Sequence, residues 1–135
     1  MKVIRNIALI IETIIGFGLP VYIWVFGLIM SPFLALGFVT GVGVDMAVYL
    51  LVIVLGGIGL WGMLQLTVKV LEPQSRVTTP RRLLGFIACG FLAVSIITVL
   101  LGFDPTGFSL IFLPPVLVAV HFLYLAREYL WKSSS

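Results

Sequence analysis

"MAVYLLVIVLGGIGLWGMLQLTVK", Met46 to Lys69, carries no charge before its last residue. The run is continuously apolar. A membrane-spanning strand would alternate apolar and polar residues, whereas a spanning helix needs roughly 20 apolar residues in a row. The stretch therefore reads as a transmembrane helix. Three further apolar blocks, 7–39, 83–103 and 108–126, lie on either side of it. The chain has 135 residues, 61% hydrophobic and 10% charged, with a mean hydropathy of +1.27. A soluble domain has about 25% charged residues, so this chain cannot cover a water-facing surface. The expected fold is an all-α integral membrane protein, a four-transmembrane-helix bundle in a single membrane domain, 1–135. Its spans are expected at about 5–30, 46–68, 82–103 and 108–130.

The first block is irregular. From Ile7 to Val39 the one charge is Glu12. As a helix the block would reach about 50 Å, against a hydrocarbon core of about 30 Å. Pro20 and "SPF", Ser31 to Phe33, are the expected breaks. In one reading the span covers 5–30, and 31–44 is an outer interfacial or re-entrant segment. In the other, residues 2–15 lie flat on the membrane surface and the span starts near Gly18. Helical phase bears on both, because Lys2, Arg5, Asn6, Glu12 and Thr13 fall within an arc of about 120°.

The charges are one-sided. Lys2 and Arg5 precede the first span, Lys69, Arg76, Arg81 and Arg82 lie between the second and third, and Arg127 and Lys132 end the fourth. The opposite loops, "TGVGVD" and "FDPTG", hold only Asp45 and Asp104. The positive-inside rule then places both termini and the basic 69–81 loop in the cytoplasm. An N-in/C-in protein of this size and style is expected in a bacterial inner membrane. Within the loop, Pro73 stops the second helix, and Thr79 and Pro80 form an N-cap and first helical position. Asp45 is a candidate cap for the second span, and "DPTG" a tight turn. Lys69, Arg76, Arg81 and Arg82 set topology and would also favour anionic lipid heads. Tyr129 and Trp131 suit an interfacial belt, and Tyr22, Trp24 and Phe26 read as packing or lipid-facing.

The motifs point away from catalysis. "GIGLWG", Gly57 to Gly62, matches a dinucleotide pattern but lies inside an apolar span without a preceding strand. Gly56, Gly59 and Gly62 instead offer a smooth strip for close helix approach, and Gly85, Cys89 and Ala93 a similar one on the third span. His121 is the lone histidine and Cys89 the lone cysteine, so neither a haem nor a metal site is expected. Ser95 and Thr98 should bond to backbone carbonyls or the next helix. No nucleophile–base set, phosphate loop or nucleic-acid patch appears, and the chain is expected to be neither an enzyme nor a cofactor protein.

The embedded polar residues are the candidate site. Glu12 is seven residues above Arg5, about 10 Å at the helical rise, His121 about 9 Å above Arg127, and Gln65 about 6 Å above Lys69. Lipid offers such groups no partner. Glu12 is therefore expected to face the bundle interior and pair with His121, with Gln65 close by. The pair would either fix helix register or exchange protons.

"LIIETIIG", Leu9 to Gly16, is similar to the first-helix glutamate segment of the small multidrug resistance family, four-helix proteins that exchange protons for cationic drugs. The similarity covers about eight residues; those proteins are shorter and lack the basic middle loop. It implies a transport role with Glu12 as coupling site. Two functional expectations result. One is an accessory or assembly subunit, or an immunity-type partner, that works through helix–helix contact with another membrane protein or its own copies. The alternative is a small proton-coupled transporter or channel using Glu12.

Overall fold

The computed structural model describes residues 1–40, 43–102 and 105–132. All its regular elements are helices: α1 (Lys2–Val39), α2 (Gly43–Leu71), α3 (Pro80–Leu101), α4 (Pro105–Leu125) and the short α5 (Arg127–Lys132). Three segments are long and apolar enough to cross a membrane: Lys2–Gly37, Ala47–Leu71 and Pro80–Leu100. The apolar stretch Phe112–Leu125 of α4 is shorter. The protein is an all-helical integral membrane protein.

α1 corrects the expected break at 31–44. It continues as one helix through Pro20 and Pro32 to Val39. Pro32 lacks an N–H, which deprives the Leu28 carbonyl of its usual donor. The Ser31 hydroxyl supplies one, donating to Leu28 O at 2.7 Å. A neighbouring Ser can re-satisfy a carbonyl freed by proline, and so the helix survives. Thr40 then closes it, its hydroxyl donating to the Leu36 and Gly37 carbonyls. Residues 2–15 are the first turns of this helix, and Leu9 lies in the core. They do not form a separate surface segment. Asp45 as a cap and the Asp104 turn fall outside the described residues and side chains.

α2 is central. It packs along α3 and α1 and also touches α4, while α1 packs along α4. Leu9, Met63, Leu66, Leu83, Ile87, Val118, Ala119, Phe122 and Ala126 form one core toward the basic end. Phe122, Leu66 and Leu83 are fully enclosed in it.

Glycine spacing sets the helix distances, but not as one strip. A step of three residues rotates a helical position by about 60° from its start. Gly56 and Gly62 therefore face different neighbours. A Cβ on Gly56 would come within 3.3 Å of the Trp24 indole, and one on Gly57 within 2.9 Å. These two glycines cradle an α1 side chain. Gly59 and Gly62 instead meet α3, with Gly90 N 2.7 Å from a Cβ on Gly59 and Phe86 Cβ 2.6 Å from one on Gly62. The expected α3 strip fails at Gly85. Gly85 has nothing within 4 Å of a built Cβ, and the close approach runs through Phe86 and Gly90. One residue rotates a helix by about 100°, which turns Gly85 away. Cys89 is half-buried and Ala93 buried.

α3 starts with Thr79 as N-cap and Pro80 in the first turn, but the Thr79 side chain makes no capping bond. It ends on Gly102 at φ 58°, in the left-handed region that glycine enters without strain. The hydroxyls of Ser95 and Thr98 donate to the carbonyls of Phe91 and Val94 within α3, at 2.9 and 2.7 Å.

Candidate functional site

α1 and α4 run side by side because Gly16 lets them. A Cβ there would lie 2.5 Å from Val118 Cγ2. Gly16 and Val118 are both buried. The contact brings the turn before Gly16 against the turn after Val118. Glu12 and His121 meet there: His121 Nδ1 lies 2.6 Å from Glu12 Oε1. A nitrogen–carboxylate contact this short is the strong kind of hydrogen bond. Depth counted along two separate helices had put these groups at one height, and packing puts them at one azimuth. The next residue, Phe122, is fully buried and its ring lies near-parallel to the imidazole, which holds that side of α4 in the core.

The pair does not face the bundle interior as expected. The Glu12 side chain is 32% exposed and that of His121 46%. Glu12 sits on an open seam lined by Ala8, Ile11 and Ile15 of α1 and Pro114 and Leu117 of α4, and His121 meets it there. The reason is angular. Leu9 and Gly16 are the buried positions of α1, and Glu12 lies beside that stripe rather than on it. Thr13, next on the polar arc, returns its hydroxyl to its own backbone at Leu9 O, 2.8 Å.

Gln65 is not brought to the pair. Its Oε1 accepts the backbone N–H of Thr78 at 3.2 Å. Among the described residues no hydrogen bond links it to Glu12 or His121. The loop explains this, since its backbone donors need acceptors as much as Glu12 needs a partner. Lys69 also works on the loop. Its Nζ donates to the carbonyls of Pro73 and Ser75 at 2.6 and 3.1 Å and sits 4.5 Å from the Tyr129 ring centre. Tyr129 in turn donates to Thr78 O at 2.9 Å. Lys69 is therefore a clasp between α2, the loop and α5, not a charge presented to lipid heads. Arg76, Arg81 and Arg82 are exposed and keep that possibility.

Sequence reasoning missed Gly16 and Gly90, and left Trp24 open between packing and lipid. Trp24 donates its indole N–H to Ile53 O at 2.8 Å, a clamp between α1 and α2. Its one sequence signal is the Gly56–Gly57 pair, which leaves room for a large ring. As for metals, Glu12 and His121 supply two donors, and among the described residues no set of three His, Cys, Asp or Glu residues gathers. What the arrangement can do is hold two helices together through a hydrogen-bonded Glu–His pair that is open on one side. Comparison with protein-family models, with curated proteins and with solved structures finds no match to this chain.

Proposed function

We propose that this protein works through helix–helix contact, as an accessory or assembly subunit, or an immunity-type partner, of another membrane protein or of its own copies. The observation that carries this reading is the openness of α1. Among its described residues only Leu9 and Gly16 are buried, while Ile7, Ile11, Ile14, Ile15 and Leu19 are exposed. The half-open Glu12–His121 hydrogen bond lies along the same helix. Lipid can cover the isoleucines but gives a carboxylate no hydrogen bond. Intramembrane ionisable residues turn toward other helices rather than toward lipid. A partner helix over the α1–α4 seam meets that demand. The test is photo-crosslinking from residue 14 or 15 in cells. A discrete adduct is expected, and its absence from both positions overturns the reading.

In this reading the chain spans a bacterial inner membrane four times, with both termini cytoplasmic. α4 has 21 residues, about 31 Å at the helical rise. The basic loop and α5 are also bonded to each other at one end. With Cys89 replaced, single cysteines at Thr40 and Thr106 should both react with an impermeant reagent added outside intact cells. Protection of either one contradicts the topology.

The second reading, a small proton-coupled transporter or channel, is favoured by the 2.6 Å Glu12–His121 contact, since each group can pass a proton to the other. Glu12→Gln separates the two. A glutamine Oε1 still accepts from an imidazole N–H, so a contact role survives, with crosslinking yield within about twofold of the parent. A coupling role does not survive, because an amide cannot carry the proton, and proton-driven flux in vesicles would be abolished.

A further inference from the structure

Above the basic-end core the four long helices leave a space between them. They enclose a cavity of about 400 Å³, within the range of about 300–1,000 Å³ common to small-molecule sites. Its lining runs along α1 from Phe17 to Gly27 and along α3 from Ile87 to Ile97. At the helical rise each stretch is about 15 Å, half the hydrocarbon thickness of about 30 Å. The space is therefore elongated along the helices, a shape that suits a hydrocarbon chain. The space is separate from the Glu12–His121 seam, because Gly16 and Val118 close the wall between them.

The lining chemistry excludes polar ligands. Apart from the Tyr49 hydroxyl, its polar side chain is Trp24, whose N–H is already given to Ile53 O. Water, ions or a charged solute would lose their own hydrogen bonds on entry. An empty cavity is also unfavourable, because its walls forgo dispersion contacts. One side is open to the surroundings. Among the described residues α3 and α4 both line the space, through Val94 and Val116 for example, but do not pack along one another. The floor is the core toward the basic end, which includes Met63, Ile87 and Ala119. Access is therefore lateral, from the leaflet opposite the basic end, where the abundant apolar solute is lipid tail.

We propose that this cavity holds one acyl chain of a membrane lipid, entering between α3 and α4 from the leaflet opposite the basic end. The inference does not depend on the helix-contact reading of the α1–α4 seam.

The test uses the purified full chain with Trp61 and Trp131 changed to Phe, so that Trp24 is the fluorophore. It is reconstituted in phosphatidylcholine vesicles carrying mid-chain bromines, which quench tryptophan on contact. Trp24 should be strongly quenched. Val94→Phe and Val116→Phe fill the cavity from opposite walls, and each should reduce that quenching at least twofold while helicity and monodispersity are kept. Quenching unchanged in the filled variants would mean that Trp24 meets bulk lipid only, and the proposal falls. It also falls if Trp24 escapes quenching while a chain retaining only Trp61, which is exposed, does not. Mass spectrometry of the parent chain after detergent exchange gives an independent reading, which stands even if the filled variants do not fold. One phospholipid per chain should be retained, and none retained overturns the proposal.

Discussion

Gly59→Leu should pull α2 and α3 apart. The first atom added at Gly59 would collide with the Gly90 backbone, lying 2.7 Å from its amide nitrogen. A flexible side chain could swing aside, but the backbone of a packed helix cannot. Forcing extra methylenes into a packed interface usually costs about 1–3 kcal/mol. With backbone as the obstacle, we expect a loss at or above the upper end of that range. The measurement is unfolding in mixed dodecyl maltoside and dodecyl sulfate, with size-exclusion as a check on dispersity. Gly85→Leu is the control. No atom lies within 4 Å of its built Cβ, so its unfolding midpoint should match the parent. Equal losses at both positions would show that glycine content matters, not the Gly59–Gly90 approach.

Trp24 carries the second large effect. Its indole fills the cradle made by Gly56 and Gly57 and bonds Ile53 O at 2.8 Å. Trp24→Ala empties the cradle, and large-to-small aromatic changes in packed sites cost about 3–5 kcal/mol. Trp24 is half-buried, so about 3 kcal/mol is expected. Trp24→Phe keeps a six-membered ring but loses the N–H donor and the rest of the five-membered ring, a smaller loss of at least about 0.5–1.5 kcal/mol. The ratio of the two is the informative quantity. Equal losses would show that the six-membered ring adds nothing in the cradle. The two predictions also concern different seams. Gly59 governs α2 against α3 and Trp24 governs α1 against α2, but both line one cavity, so the effects should couple in a double variant.

The Glu12–His121 pair divides what could be read from what could not. Height along a helix is a sequence quantity, because every residue adds the same rise. Counting from Arg5 and from Arg127 places both side chains at about 10 Å. Gln65, counted the same way, comes out nearby and yet bonds Thr78 N. Height is one coordinate of a cylinder. The other, the angle around the bundle, depends on which stripe each helix buries, and an almost uniformly apolar helix does not announce its stripe. In a soluble protein polarity would mark the outer face. Here lipid and core are chemically alike, so the outward tilt of Glu12 was not legible.

Breaks and strips were misread for related reasons. Pro32 signals a helix end in water, but Ser31 offered a hydroxyl to the freed carbonyl, and hydrocarbon favours keeping every other backbone bond. Gly56, Gly59 and Gly62 look like one face at a spacing of three. The true period is 3.6, so one end of the row met Trp24 and the other met α3.

The sequence alone determined that this is a helical membrane protein and that its basic residues gather toward one end. Those properties follow from local hydropathy, rise per residue and backbone hydrogen bonding, which need no knowledge of neighbours. Tertiary structure alone decided which glycines touch, that Lys69 clasps a loop, that Glu12 opens onto a seam and that a cavity remains between the helices. Each of these depends on rotation of one helix against another, and rotation is set by side-chain interlock summed over the whole bundle.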